Sequence, residues 1–326
     1  MHDLSWQKKL TQGFSSAAQL LSFLELPVSE EYLAEQQFAS RVPLSFARRM
    51  KKGNPRDPLL LQVLASSAEL NQHQAFSLDP LQEAKANPLT GLIHKYHGRV
   101  LVTLTGACAV NCRYCFRRHF PYQANNPGTS GLNAIMTYIR ADENISEVIL
   151  SGGDPLLAAN GVFKKLLTAL TGIAHVHTLR IHTRIPVVFP ERIDEEWLSL
   201  LAGCSLNKVV VLHTNHAQEL DEQVEQVCQQ LRTAGCHLLN QSVLLAGIND
   251  KAETLAELSQ ALFAAGVLPY YLHLLDKVQG AAHFDVSLKE AKAIHQRMQA
   301  LLPGYLVPRL ATEEPGKPHK TLLIDA

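Results

Sequence analysis

Short apolar runs alternate with amphipathic stretches over the last two thirds of the chain. The apolar runs are rich in Val, Leu and Ile, as in parallel strands that are buried on both faces; they span residues 99–105, 147–151, 178–183, 208–212, 237–245 and 267–275. Apolar residues at helical spacing mark the stretches 161–171, 194–201, 218–233, 252–265 and 287–302. The alternation predicts the α/β class, and six repeats rather than eight predict an open, partial (β/α)6 barrel.

Residues 1 to about 95 contain helix and turn signals but no strong strand signal. Helices are predicted over residues 16–26, where Pro27 stops the helix, from Ser29 onward, and over residues 43–50, before a run of turn residues at 53–58. A change of composition near Asn87 and Pro88 marks a boundary. We therefore predict an N-terminal helical region (1–95), the partial barrel (96–302) and a C-terminal segment (303–326).

Composition excludes several classes of function. The 326 residues are 46% hydrophobic and 18% charged, which is typical of a globular protein with a substantial core. The formal net charge is zero, so no basic field indicates a nucleic-acid partner. No apolar run approaches the ~20 residues of a membrane span, and the first residues lack the apolar core of a secretory signal. Six cysteines, three of them clustered, favour a reducing compartment, and we expect a cytoplasmic protein.

The three clustered cysteines lie on the loop after the first predicted barrel strand. Cys108, Cys112 and Cys115 have the spacing C-x3-C-x2-C, and barrel active sites form where strands end. Three thiolates can bind three irons of a [4Fe-4S] cube and leave the fourth iron open. A partial zinc site or unconnected core thiols are the alternatives, but zinc prefers paired C-x2-C ligands. The remaining cysteines show no such pairing: Cys204, Cys228 and Cys236.

This cysteine spacing resembles that of the radical S-adenosylmethionine (SAM) enzymes, in which SAM binds the fourth iron, and it implies their partial barrel fold. Gly152, Gly153 and Asp154 follow the second predicted strand. Alone, they are typical of an ordinary loop between a strand and a helix, in which glycine allows close backbone approach. Downstream of the cysteine loop they resemble the glycine-rich motif that holds the aminoacyl end of SAM.

A second resemblance involves residues 313–320, which alone would be interpreted as a solvated tail. The segment is similar to that of the lysine 2,3-aminomutases in which a lysine forms an imine with pyridoxal phosphate (PLP). The family pattern is an acidic residue, any residue, Pro, four Gly and then the lysine. Ungapped, it places Lys320 at the imine position. Lys317, Pro318 and His319 replace three of the glycines, which implies a stiffer loop and leaves Lys317 as the second candidate.

The resemblance extends over most of residues 40–326. Residues 269–284 match a family segment with a substrate-binding aspartate, here Asp276. Residues 240–250 match a segment whose glutamine, here Gln241, lies near SAM, and residues 213–216 match a histidine-rich turn that begins at His213. The cofactor pocket of the family implies that Arg99 binds the PLP phosphate and that Tyr96 lies beside it.

The same resemblance implies two poles for the substrate. Arg117, two residues after the last cysteine, would bind the substrate carboxylate. Asp276 would bind the distal ammonium of lysine, together with Glu313, which stands where the family has an aspartate. PLP requires a free α-amine and Arg117 a free carboxylate, so the implied substrate is free L-lysine. The implied enzyme is an isomerase that converts L-α-lysine to (R)-β-lysine.

Two differences from the family pattern indicate which branch of the family the chain resembles. No cysteine follows Cys236, whereas the free-lysine aminomutases bind a structural zinc with C-terminal cysteines, so we expect no zinc and a smaller assembly. The short chain and the altered lysine loop resemble the bacterial branch that serves translation elongation factor P, in which a partner ligase attaches β-lysine to the factor. The electron donor, of the flavodoxin or ferredoxin type, stays open.

Two other functions remain open from the sequence. One is a stand-alone lysine or glutamate aminomutase in β-amino-acid metabolism, although the acidic pair of Asp276 and Glu313 favours a cationic side chain. The other is a non-catalytic iron–sulfur protein on the same fold. An imine between Lys320 and PLP distinguishes the enzyme from this last alternative.

Overall fold

Nine strands form one sheet in the computed structural model, which describes residues 5–28 and 34–323. They are β1 (Leu92–Tyr96), β2 (Arg99–Thr105), β3 (Glu147–Gly152), β4 (Thr178–Thr183), β5 (Asn207–His213), β6 (Cys236–Val243), β7 (Leu268–His273), β8 (Arg309–Thr312) and β9 (Thr321–Leu322). The strand order follows the chain order. Strands β2 to β8 are parallel, and the two outer strands β1 and β9 are antiparallel to their neighbours. The sheet is the partial barrel of an α/β protein, as predicted.

All six predicted strands are present, with ends that differ by at most two residues from the predicted ends. The expectation that residues 1–95 hold no strand is wrong, because β1 lies there and pairs with β2. Only the first two residues of β1 are fully buried, so its sequence lacks a continuous apolar run. A seventh parallel strand, β8, was also not predicted, and its four residues are too few to give a clear pattern. The apolar residues after Lys320 also predict a final strand over 321–325, and β9 falls within it; residues 324 and 325 lie outside the described residues.

Twelve α-helices occur in the described residues. They are α1 (Trp6–Leu10), α2 (Ala17–Phe23), α3 (Ala34–Gln37), α4 (Leu44–Ala47), α5 (Pro58–Leu61), α6 (Gly128–Ala141), α7 (Asn160–Thr171), α8 (Ile185–Val188), α9 (Glu195–Ala202), α10 (Glu222–Thr233), α11 (Ala252–Ala264) and α12 (Leu288–Leu301). The helix predicted from Ser29 lies outside the described residues. None of the described helices is both long enough and apolar enough to span a membrane.

Helix α6 was not predicted, although its sequence carries the signal. Ile135, Met136 and Ile139 are buried at helical spacing. The helix begins in a stretch of Gly, Thr and Ser, residues that favour turns and caps over helix interiors. Five of the six helices between the later parallel strands were predicted, all except the four-residue α8, and side-chain caps define several of their starts. Asp194 accepts a hydrogen bond from the backbone of α9, and Asp221 from that of α10.

The N-terminal helices pack on the barrel. Leu20 and Phe46, from α2 and α4, belong to the same buried apolar cluster as Val102 and Leu150 of the sheet. This cluster contributes most of the buried apolar area, which stabilises the fold at about 25 cal/mol per Å². The predicted boundary near residue 95 remains a prediction, since one core extends across it. Because seven strands are parallel, their carboxyl ends meet at one edge, where the loops that carry the candidate site begin.

Candidate active site

A cavity of about 740 Å³ lies at this edge of the sheet, within the usual size range of small-molecule sites. Its wall contains residues at or just beyond the ends of the parallel strands β2 to β8, and it also contains residues of β1 and the segment around β9. All fourteen residues selected from the sequence line it: Tyr96, Arg99, Cys108, Cys112, Cys115, Arg117, Gly152, Gly153, Asp154, His213, Gln241, Asp276, Glu313 and Lys320. The fold therefore brings together residues that are up to 224 positions apart in the chain, from Tyr96 to Lys320.

Residues of the N-terminal region hold the cysteine loop in place through hydrogen bonds. Arg113, which lies between the second and third cysteines, is fully buried, and its Nε and Nη2 donate to Glu69 at 2.8 and 2.6 Å. Arg118 donates to the same carboxylate at 2.8 Å. The backbone N–H of Arg113 donates to Gln62 O, and that of Asn111 to Arg41 O. The loop conformation therefore depends on residues outside the barrel, and sequence analysis did not identify them.

All three loop cysteines are free thiols in the cavity wall. Burial raises the pKa of Cys108 well above its usual value, and the charges of Cys115 and Asp154 raise it further. Burial, with the charge of Cys112, raises the pKa of Cys115 to about 11. Three neighbouring thiolates therefore require bound cations, because metal binding is what deprotonates such thiols. No three His, Cys, Asp or Glu side chains of the described residues converge on a single metal ion. A cube, in which each cysteine binds a different iron, needs no such convergence.

The glycine turn after β3 packs against the cysteine loop. A Cβ on Gly153 would come within 2.4 Å of Ala107 O, and one on Gly152, where φ is +113°, within 2.5 Å of Thr103 Cγ2. The backbone N–H of Gly153 and of Asp154 donate to carbonyls of the cysteine-loop strand and loop, at 3.0 and 2.8 Å. Both glycines are therefore required by close backbone contact between the two loops.

Asp154 joins the ends of two strands. Its carboxylate accepts hydrogen bonds from the hydroxyl of Thr183 at 2.7 Å, from the backbone of Arg184 at 2.8 Å and from the backbone of Leu156 at 3.1 Å. Burial raises the pKa of Asp154, and these hydrogen bonds oppose that rise. The side chain thus holds the loops after β3 and β4 together at the cavity wall.

A polar network connects the cysteine loop with His213. Arg184, which sequence analysis did not select, donates from Nη1 to Cys112 Sγ and to the Tyr114 hydroxyl, both at 2.8 Å. The same hydroxyl lies 2.8 Å from His213 Nε2. Burial, and next the charge of Arg184, lower the pKa of His213 to about 3, so the ring is neutral at physiological pH. Gln241 is the neighbour of His213 in the sheet register.

A chain of alternating charges runs along the cavity wall from Lys320 to Arg117. Lys320 Nζ donates to Glu313 at 2.6 Å, and Lys95 Nζ donates to the other oxygen of Glu313 at 3.0 Å. Burial would raise the pKa of Glu313, but the two ammonium groups lower it to about 2. Lys95 also lies 3.4 Å from Glu83. Lys317, by contrast, is exposed and outside the cavity wall.

Arg117 ends this chain of charges. Its Nε and Nη2 both donate to Glu83 at 2.7 Å, and its Nη1 donates to the Ser151 hydroxyl at 3.1 Å and to Gly152 O at 3.4 Å. Burial lowers the pKa of Arg117, but the charge of Glu83 outweighs this effect and raises it. A guanidinium has five N–H donors. One N–H, on Nη2, therefore remains for a further acceptor among the described contacts.

Asp276 differs from the other acids of the cavity wall. Its carboxylate has no hydrogen-bond or ion-pair partner among the described residues, in contrast to Glu83 and Glu313. Burial, followed by the charge of Glu313, raises the pKa of Asp276 to about 7. A buried carboxylate without a partner is costly unless a cation binds it. The cavity therefore offers one acid to a positively charged ligand.

Arg99 is the corresponding unpaired cation. It lines the cavity, its guanidinium packs 4.9 Å from the ring centroid of Tyr96, and no carboxylate of the described residues pairs with it. Burial raises the pKa of Tyr96, and the charge of the neighbouring Glu313 raises it further. A planar, permanently charged guanidinium with free donors suits a phosphate group.

Sequence analysis missed the residues that support the selected ones. Four of them lie within residues 1–95, a region that was expected to be helical or irregular: Gln62, Glu69, Glu83 and Lys95. Polar residues in a region without a sheet pattern give no signal of where they point. Arg184 follows a correctly predicted strand, so its position at a strand end was the one signal that could have identified it.

Comparison with known proteins agrees with this geometry. A profile of the Radical SAM superfamily matches residues 102–259, which include the cysteine loop, the glycine turn, His213 and Gln241. Fold, cysteine loop and profile together define a radical SAM enzyme, a class whose members bind a [4Fe-4S] cluster and SAM.

Three relatives define the family within that class. An L-lysine 2,3-aminomutase from Escherichia coli (strain K12) is 49% identical over 98% of this chain and 94% of the relative. One from Haemophilus influenzae is 48% identical over 98% of this chain and 95% of the relative. One from Clostridium subterminale is 32% identical over 97% of this chain and 77% of the relative. The chain belongs to the L-lysine 2,3-aminomutase family, whose members are isomerases.

Proposed function

We propose that this protein moves the α-amino group of free L-lysine to the β-carbon and so forms (R)-β-lysine, with a [4Fe-4S] cluster, SAM and PLP as cofactors. The observation that carries the proposal is the unpaired carboxylate of Asp276, in the same cavity as Arg117, Lys320 and the three cysteines. Asp276 can bind a cation and Arg117 can bind a carboxylate, and lysine carries one such group at each end. The names of the relatives agree with this substrate.

The cysteine loop fits the cluster. Cys108, Cys112 and Cys115 would supply three thiolates, and the buried guanidinium of Arg184 would offset part of their negative charge. SAM, when bound beside the cluster, would supply the radical chemistry by which hydrogen is removed from the substrate. The neutral ring of His213 and the side chain of Gln241 lie in the same cavity wall as the cysteines, where they can bind the nucleoside part of SAM.

The part of the cavity wall that contains Lys320 and Arg99 would bind PLP. Lys320 would hold the cofactor through Nζ, and Arg99 has free donors for its phosphate. PLP supplies covalent activation of the amino group that migrates. Glu313 holds Lys320 in position, and its second oxygen is occupied by Lys95. We therefore assign the distal ammonium of lysine to Asp276 and the orientation of Lys320 to Glu313.

Arg117 would bind the substrate carboxylate with the N–H that its other partners leave free. Glu83 holds two nitrogens of the guanidinium and thereby fixes the plane in which that donor points. Both groups are buried, so their hydrogen bonds are stronger than they would be in water. Fixing the two ends of lysine at Arg117 and Asp276 orients the β-carbon within the cavity, which is how binding energy contributes to positioning.

The decisive experiment is anaerobic incubation of the reconstituted protein with SAM, PLP, a reductant and isotopically labelled L-lysine. Chiral chromatography and mass spectrometry should show (R)-β-lysine with the label retained. Glutamate in place of lysine is the matched substrate control and should give no product. Conversion of glutamate but not of lysine would contradict the assignment of Asp276, and a protein that binds SAM and PLP but converts neither amino acid would refute the proposed reaction.

We further propose that the product serves β-lysylation of translation elongation factor P. The support is the near full-length match to the two shorter relatives, of which the chain covers 94% and 95%, against 77% of the relative from Clostridium subterminale. In a coupled reaction with elongation factor P and its lysine ligase, the mass of the factor should rise by one lysyl group that carries the label. Equal modification without this protein would contradict the link.

A further inference from the structure

Arg184 is a buried cation in direct contact with one of the cluster cysteines. It follows β4 and is 6% exposed, and its Nη1 lies 2.8 Å from Cys112 Sγ. Its backbone N–H donates to Asp154 at 2.8 Å. Side chain and backbone are thus both held, so the guanidinium is a fixed feature of the cluster surroundings.

The orientation of the guanidinium is determined by its other nitrogen. Nη2 donates to Gln62 Oε1 at 2.6 Å and to Glu219 Oε2 at 2.9 Å. Gln62 and Glu219 are themselves fully buried and joined by a hydrogen bond of 3.1 Å. Turning Nη1 away from Cys112 would break both contacts of Nη2. The negative charge of Glu219 lies on the nitrogen that faces away from the sulfur.

Aromatic rings exclude water from this arginine. The guanidinium carbon lies 5.3 Å from the ring centroid of Phe46 and 5.8 Å from that of Tyr114. Low local polarity strengthens both the charge interaction and the hydrogen bond with the sulfur. Phe46 and Gln62 come from the N-terminal region, so this region builds one half of the pocket that holds Arg184.

We propose that Arg184 sets the reduction potential of the [4Fe-4S] cluster through its contact with Cys112. One electron from an external reductant of the flavodoxin or ferredoxin class converts the 2+ cluster to the 1+ cluster, and no covalent bond forms or breaks. The added negative charge is stabilised by a nearby cation and by an N–H donor to a ligand sulfur, both of which raise the potential. The inference concerns the cluster alone and is independent of the substrate.

The test compares anaerobically reconstituted wild type with Arg184→Met, Arg184→Lys and the matched control Arg49→Met. Arg49 also packs on Phe46, at 5.5 Å, and donates to the backbone oxygens of Glu219 and Val187, but it contacts no cysteine among the described residues. The midpoint potential is measured by redox titration followed by electron paramagnetic resonance, without SAM or substrate. Iron content and circular dichroism are measured for each variant.

We expect Arg184→Met to lower the ratio of reduced to oxidised cluster at a fixed potential at least tenfold, which corresponds to a shift of about 59 mV for a one-electron couple. Arg184→Lys, which keeps the charge, should shift less, and Arg49→Met should match the wild type. An iron-loaded Arg184→Met variant with the wild-type potential would overturn the proposal, as would an equal shift in Arg49→Met. If neither Arg184 variant loads iron while both fold and Arg49→Met loads normally, Arg184 serves cluster assembly, and the proposal is wrong.

Discussion

Replacement of Asp276 by Asn tests the assignment of the distal ammonium. The carboxylate has no hydrogen-bond or ion-pair partner in the part of the chain that the structure describes, so the substitution breaks no described contact and removes a charge that the ligand would compensate. A hydrogen bond to a charged group contributes about 1.5–3 kcal/mol, and each 1.4 kcal/mol is a factor of ten. We therefore expect Asp276→Asn to weaken lysine binding about tenfold to a hundredfold and to leave SAM binding unchanged.

The assay is calorimetric titration of the enzyme, loaded with cofactors but without reductant, so that no turnover occurs. Norleucine, which has the four-carbon side chain of lysine without the terminal ammonium, serves as the comparison ligand. Wild type should prefer lysine, and Asp276→Asn should lose most of that preference. Asp285→Asn, at an exposed site outside the cavity wall, is the control for a change of the same residue type elsewhere. Equal losses for lysine and norleucine would refute the reasoning.

The pH dependence gives an independent check on Asp276. Because burial and the charge of Glu313 raise its pKa to about 7, the carboxyl is increasingly neutral below that pH and cannot pair with an ammonium. Lysine affinity should therefore rise as the pH increases through 7, and this rise should be absent in Asp276→Asn. A wild-type affinity that is constant across pH 7 would contradict the role of this carboxylate.

Three other substitutions test separate parts of the site. Cys112→Ala should abolish the cluster absorbance and SAM cleavage; turnover in this variant would refute the cluster assignment. Lys320→Ala should lose the imine absorbance with PLP, while Lys317→Ala, at an exposed position, should keep it; the opposite result would move the imine to Lys317. Glu69→Gln removes one side of a buried ion pair and should reduce the free energy of unfolding by about 3–5 kcal/mol. The exposed pair of Glu253 is the control, since Glu253→Gln should leave the free energy of unfolding nearly unchanged in the same denaturant titration.

The barrel core could be inferred from the sequence because its strands are buried on both faces. Such strands carry continuous apolar runs, and β2 and β4 have the predicted ends. The edge strand β1 escaped prediction because its second half presents polar side chains, including Lys95, to the cavity. The polar residues that line the cavity interrupt the apolar run by which a buried strand is identified, so β1 lacked this signal.

The cofactor chemistry of the site was predicted from local motifs, because the cluster ligands and the loop glycines each lie close together in the chain. The cysteine spacing, the glycine turn and the position of Lys320 each depend on a few consecutive residues. Side chains that determine which ligand charge is bound, or that shift the reduction potential of a cofactor, cannot be identified from a few consecutive residues. Their effect depends on distance and burial, which no short segment determines.

Two residues show the difference. Glu313 was predicted from the sequence to bind the distal ammonium, but in the structure both of its oxygens are occupied by Lys320 and Lys95. Arg184 looked like an ordinary residue after a strand, and only the tertiary structure brings it to 2.8 Å from Cys112. Local motifs and the family that they resemble were enough to predict the [4Fe-4S] cluster and SAM of the radical SAM class. The partners of each charge, and thus the charges left for the substrate and the cluster, arise from contacts between segments that are distant in sequence.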